Sequence, residues 1–134
     1  MTLLSIGKIA KRAGVSVETI RFYEREGLIE EPARKESGYR QYIEVDVKKL
    51  VFIQRAKGLG FSLKEIKGLM TLRADPKTTS REIKQAAQSK LDDIEKKIKM
   101  LQSMRRSLKS LVDKCPGKGA TSDCPILDAL GAAQ

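Results

Sequence analysis

Cys115 and Cys124 are the only cysteines of the chain, and it contains no histidine. Thiolates are nucleophiles and soft metal ligands, while a missing imidazole removes the commonest general base and the commonest transition-metal ligand together. The two cysteines lie in the run Lys114-Cys115-Pro116-Gly117-Lys118-Gly119-Ala120-Thr121-Ser122-Asp123-Cys124-Pro125-Ile126-Leu127, with eight residues between them. Each is followed by proline, and two glycines let the chain turn back. Two thiols so placed admit a disulfide, a redox switch, a metal clamp or no chemistry at all. Inert cysteines are normally buried, whereas this loop is glycine-rich and reads as exposed. A closed structural zinc site takes four ligands, which the chain lacks the histidines to complete. A pair of soft thiolates suits a Cu(I)-like ion, which accepts low coordination numbers. Pro125 fits the first turn of a short helix through Leu130, whose N-terminal end favours a thiolate at Cys124. Spacing alone leaves the four readings open.

Ahead of the loop lies the element that must carry it. Thr79-Ser80-Arg81-Glu82 reads as a capping box, and a long helix follows to about Val112. Its apolar positions Ala87, Leu91, Ile94, Ile98 and Leu101 step alternately by four and three, an a/d heptad seam. The seam then shifts through Met104, Leu108 and Leu111. A helix of some 33 residues is about 50 Å long. One aliphatic stripe of that length needs a partner helix, most simply its own copy, so a homodimer is expected.

The first half of the chain reads as a small helical core, since all three Phe and all three Tyr fall there. Ser5 is placed to cap a first helix that Gly14 breaks. Ser16 caps a second helix running to about Glu26 and ended by Gly27. Val15 and Ile20 are expected to pack inward, with Thr19, Arg21, Tyr23 and Arg25 pointing elsewhere. Two short helices across a glycine-containing turn make a helix-turn-helix candidate. Arg34-Lys35-Glu36-Ser37-Gly38-Tyr39-Arg40-Gln41-Tyr42 places a tight turn between basic and aromatic residues, as in a hairpin wing, or a solvated loop with its tyrosines packed on the core. A third helix is expected from about Val45 to Leu59 around Leu50, Val51 and Ile53. Ser62-Leu63-Lys64-Glu65 opens a fourth, with Ile66, Leu69 and Met70 inward, closed by Asp75-Pro76.

The net charge of +10 favours a polyanionic partner, since neutralised phosphates release counterions. No apolar run approaches the roughly 18 residues that span a bilayer, and no signal peptide is evident. A cytoplasmic protein with reduced thiols and no membrane partner is therefore expected. A small basic enzyme is not expected: there is no phosphate-binding glycine loop and no nucleophile–base pair. A non-specific packaging protein is disfavoured too, because the basic excess divides evenly between residues 1–75 and 76–134.

Across nearly its whole length the chain resembles the MerR family of bacterial regulators. The likeness is carried by Ile6-Gly7-Lys8-Ile9-Ala10, Val17-Glu18-Thr19-Ile20-Arg21-Phe22-Tyr23-Glu24, Gly27-Leu28-Ile29 and Gly38-Tyr39-Arg40-Gln41-Tyr42. Leu101-Gln102-Ser103-Met104-Arg105 and the cysteine loop resemble the metal-sensing branch. The resemblance implies a mainly α fold in three parts: a winged helix-turn-helix domain with linking helices over 1–75, an antiparallel coiled-coil dimerisation helix over 76–112, and a metal-binding loop with a short helix over 113–134. It implies that Thr19, Arg21 and Tyr23 lie on the recognition helix, that Arg34, Tyr39, Arg40 and Tyr42 serve the wing and its phosphate contacts, and that Cys115 and Cys124 are the metal ligands. It also implies a homodimer on a palindromic operator in double-stranded promoter DNA. There the metal-bound form underwinds and bends the DNA until RNA polymerase meets both promoter elements in phase.

Within that branch, divalent-ion sensors carry a cysteine at the start of the dimerisation helix, donated across the dimer. This chain has Ser80 there, as the Cu(I)/Ag(I)/Au(I) sensors do. The loop dissents, being one residue longer than in copper sensors and like that of mercury and zinc sensors. The missing ligand outweighs the loop length, so Cu(I) or another monovalent ion is expected to be sensed. A divalent ion (Hg, Zn, Cd or Pb) and a metal-free thiol redox regulator are the alternatives.

Overall fold

The structure is a computed structural model and describes residues 3–32 and 41–131. It is helical, with α1 over Ile6–Ala13, α2 over Val17–Arg25, α3 over Glu44–Gly58, α4 over Leu63–Ala74, α5 over Ser80–Lys114 and α6 over Pro125–Gly131. A single 3-10 turn, Thr121–Asp123, precedes α6. The chain divides into two compact units, Met1–Ala86 and Ala87–Gln134.

The helix boundaries in the first unit follow from caps. Ser5 and Ser16 accept the amides of Lys8 and Thr19 at 3.2 and 3.0 Å, each satisfying one of the unpaired N–H groups that open a helix. Ser62 and Glu65 form the complete capping box expected of them, exchanging bonds of 3.2 and 2.8 Å. At α3 there is no serine to cap, and Asp46 alone reaches back to the Ile43 amide at 2.8 Å. The box expected before α5 is likewise half made. Glu82 accepts the Thr79 amide at 2.9 Å, whereas the Glu82 amide donates to the Thr79 backbone oxygen.

Both helices of the helix-turn-helix stop by the same device. Gly14 and Gly27 take left-handed φ values of 72° and 77°, which a side chain would strain. Beyond them the Val15 and Leu28 amides donate back to the Ala10 and Tyr23 carbonyls at 3.0 and 2.9 Å, closing a Schellman motif each time.

The core of this unit is Ile9, Ala10, Ile20, Tyr23, Leu28, Ile29, Tyr42, Val47, Leu50, Ile53, Ala56 and Ile66. Of the residues expected inside, Ile20, Leu50, Ile53 and Ile66 are buried, Val15, Val51 and Met70 are half-buried against the core, and Leu69 is half-buried. An exposed Arg12–Glu44 ion pair ties α1 to the first turn of α3. Among the described residues the only extended pairing is an antiparallel bridge between Leu4 and Tyr42, with both backbone bonds at 2.7 Å. The Ser37-Gly38 turn of the expected wing lies outside the described residues.

In the second unit α5 continues to Lys114 and hands over directly to the cysteine loop, then to the 3-10 turn and α6. No helix among the described residues is long and apolar enough to cross a membrane.

Candidate functional site

Three features carry the expected chemistry, and each is built by a different stretch of helix. The first is α2. Ile20 and Tyr23 are buried and turn one side of it into the core, so Arg21 and Arg25 are left in solvent. Thr19 is half-buried and its hydroxyl lies 2.8 Å from that of Ser16, where it supports the cap.

The tyrosines require a correction. Tyr23 and Tyr42 were expected among the DNA contacts, yet they are 1% and 0% exposed. A ring with no accessible surface touches no phosphate. The Tyr23 hydroxyl donates to Gln54 of α3 at 3.1 Å, and the Tyr42 hydroxyl to Glu24 of α2 at 3.0 Å. Burial of an aromatic body with its hydroxyl satisfied makes each of them a clamp. Together they tie α2 to α3 and to the segment just before it. Of the other expected contacts, Arg34, Tyr39 and Arg40 lie outside the described residues.

The second feature is the outer stripe of α5. Leu91, Ile98, Leu101, Met104 and Leu108 are between 46% and 62% exposed, Ile94 and Leu111 are half-buried, and Ala87 is exposed. Covering a Leu or Ile side chain contributes roughly 1.5–3 kcal/mol. The stripe is thus a large unspent source of association energy along one helix face.

The third is the cysteine pair. The Cys115 amide donates to Leu111 and Val112, both at 3.2 Å, so this thiol sits where α5 runs out. Gly117 and Gly119, with φ of 73° and 101°, turn the chain back. Cys124 then occupies the N-cap of α6, its carbonyl accepting the Asp128 amide at 3.0 Å. The two sulfurs stand 3.9 Å apart, both half-buried. That is nearly twice a disulfide bond. Thiolates bound to one ion at about 2.3 Å lie about 3.8 Å apart at a tetrahedral angle and about 4.6 Å apart in a line. One soft ion therefore fits between them, and a linear arrangement needs a modest further opening.

Amides of α6 point at the second sulfur. The Leu127 N–H, then the Ile126 N–H and the Cys115 thiol, hold the Cys124 thiol below its ordinary pKa, against partial burial and the nearby Asp128 carboxylate. The thiolate is the form that binds metal. In reduced, metal-free protein, the pH profile of Cys124 alkylation by iodoacetamide is expected to have its midpoint below the roughly 8.5 of an unperturbed cysteine. A midpoint at or above that value contradicts the role given to the α6 amides.

Ser80, expected from the resemblance to bear on ion selectivity, is the exposed first residue of α5. Among the described residues no group of three or more His, Cys, Asp or Glu side chains is placed to hold a metal.

Comparison with known proteins gives these features a context. Residues 4–72 match the family model described as MerR HTH family regulatory protein, and residues 47–111 match that described as MerR, DNA binding. The chain is 44% identical over 127 residues to the HTH-type transcriptional regulator HmrR of Rhizobium leguminosarum bv. viciae, covering 95% of this chain and 97% of the relative. It is 45% identical to the HTH-type transcriptional regulator ZntR of Escherichia coli, covering 93% and 90%. Among solved structures, a transcription regulator from Ralstonia metallidurans in complex with lead(II) superposes with a TM-score of 0.84 at 35% identity, covering 95% of this chain and 98% of that one.

Proposed function

This chain belongs to the MerR family of helix-turn-helix regulatory proteins, and we propose that it is a metal-responsive activator whose sensor is the Cys115–Cys124 pair and whose ion is monovalent, Cu(I), Ag(I) or Au(I). It is a transcription regulator and not an enzyme, like the relatives it matches. The observation that carries the choice of ion is the donor set. Two cysteine sulfurs converge to 3.9 Å, and the sequence offers neither a third cysteine nor any histidine. Soft ions of low coordination number are satisfied by such a pair, whereas Zn(II) and its like seek further ligands.

Charge supports the same reading. Two thiolates and a monovalent ion leave one negative charge, which the α6 amides aimed at Cys124 stabilise. Lys114 and Lys118, both exposed, add long-range screening. A divalent ion is the second reading, favoured by the eight-residue loop and by a sulfur separation near the tetrahedral value.

The rest of the account follows the family's logic. Two copies pair through the α5 stripe and set two α2 helices on a palindromic operator. Metal binding changes the shape of the promoter DNA for RNA polymerase, so that deformation energy carries the signal. Residues 113–134 form the sensor, 76–112 the dimerisation helix and 1–75 the DNA-binding domain, with efflux or resistance genes as the targets.

Two sets of variants test this reading. Ser80→Cys supplies a third soft donor at the start of α5, and its promoter output is expected to broaden toward Zn(II) and Cd(II). An unchanged ion profile removes Ser80 from selectivity. Arg21→Ala is expected to weaken binding to the specific site by about 1–3 kcal/mol, the value of a base-edge contact. Arg40→Ala is expected to weaken all sequences alike and to flatten the salt dependence, as loss of a phosphate contact does. If both arginine variants bind like the parent, the DNA-contacting roles are misassigned.

A further inference from the structure

Successive residues of α2 advance by about 100° around the helix axis, and the buried Ile20 and Tyr23 fix the inward direction. On that wheel Glu18 and Arg25 stand opposite the core, with Arg21 to one side of them and Phe22 to the other. Exposure agrees, since all four side chains are in solvent. Phe22 is the only apolar residue among them and is 38% exposed. Its ring is held in place: the Arg25 guanidinium lies 6.0 Å from its centroid and the Tyr23 ring 6.1 Å away, tilted by 50°.

An exposed aromatic ring on a polar helix face, steadied by its neighbours, is preorganised for contact with something outside the chain. The face it occupies belongs to the second helix of the helix-turn-helix, which docks in the major groove. The edge of the groove offers one apolar group, the C5-methyl of thymine, while phosphates line both sides. Phe22, with Arg25 against its ring and Arg21 beyond it on the same side, matches that pattern as an apolar group bordered by cations.

We infer that Phe22 reads sequence by packing against a thymine methyl in the operator, with Arg25 as its cationic flank. The inference deepens the DNA-binding reading above and rests on it. It also moves the aromatic contact on α2 from Tyr23, which is buried, to its outward neighbour.

The test uses a duplex recovered from random-sequence DNA by selection with the full-length parent protein. The duplex is then synthesised with thymine and again with uracil, which differs only by the methyl group. Fluorescence anisotropy gives the affinity of parent, Phe22→Leu and Phe22→Ala for both. The parent is expected to prefer the thymine duplex by about 4-fold for each methyl contacted, and by about 15-fold when both half-sites contribute. Phe22→Leu keeps part of the preference, which separates loss of contact from loss of fold. Phe22→Ala binds both duplexes alike. A parent indifferent to the methyl, or a Phe22→Ala variant that retains the parent's thymine preference, overturns the assignment. Weakening of both duplexes by the same factor in Phe22→Ala, with the preference intact, makes Phe22 a support for α2 and overturns it equally. A selection that recovers no preferred sequence defeats the DNA-binding reading itself, an outcome distinct from these.

Discussion

Cys115→Ser and Cys124→Ser are each expected to reduce metal-induced transcription to the level seen without added ion, while operator affinity changes by less than about 0.5 kcal/mol. The two halves of this expectation have separate physical grounds. A clamp of two thiolates that loses one presents a single soft ligand and a hydroxyl, which is a poor donor to Cu(I), Ag(I) or Au(I). Cys124→Ser also discards the sulfur that the α6 amides stabilise as a thiolate. Operator binding stands apart because none of the core residues that set α1 to α4 lies in the loop. Reporter output with and without ion, beside a gel-shift titration of the apo proteins, measures both halves. A serine variant that keeps the full response removes its cysteine from the sensor. One that loses apo DNA binding shows that the loop has a structural part in the DNA-bound form.

Leu91→Glu and Ile98→Glu are each expected to convert a dimer into monomers at micromolar concentration. Both side chains stand nearly half exposed on the stripe of α5, at 46% and 47%. A carboxylate buried there without a partner costs about 3–5 kcal/mol, or roughly a 150- to 4,000-fold loss in dimer affinity, and a two-fold interface meets the substitution twice. Operator affinity should fall with it, because a monomer engages one half-site. Leu91→Ala, which removes contact area without adding charge, should weaken the dimer far less. Light scattering that gives the mass of two chains for either glutamate variant means that the interface lies elsewhere.

Much of the fold was legible because short-range chemistry sets it. Ser5, Ser16 and Ser62 were readable as caps, and Gly14 and Gly27 as stops, since each acts within a few residues of its own position. The capping box before α5 was half right: the carboxylate of Glu82 makes its bond, but Thr79 contributes only backbone. Tyr23 and Tyr42 were misread for a physical reason. A tyrosine beside basic residues looks the same in sequence whether its ring faces a phosphate or the core. The corrective signal was present on α2, where Ile20 and Tyr23 are three residues apart on one side and Phe22 falls on the other. For Tyr42 there was no such signal, because its burial depends on Leu4 and Glu24, both distant in sequence. At the cysteines, Pro125 announced the helix whose amides reach Cys124. The approach of the sulfurs to 3.9 Å was not legible, since an eight-residue loop with two glycines has many ways to close.

The central claim is that two thiolates without a third soft donor make a switch for monovalent ions on a DNA-shape regulator. Anaerobic titration of the reduced protein with Cu(I), Ag(I), Hg(II) and Zn(II), read as transcripts from its promoter by purified RNA polymerase, tests it most directly. The account predicts that Cu(I) or Ag(I) raises transcript yield at stoichiometric amounts and that Zn(II) raises it little. Strong activation by Zn(II) or Hg(II) with a weak response to Cu(I) would contradict it and make the longer loop the better guide to the ion.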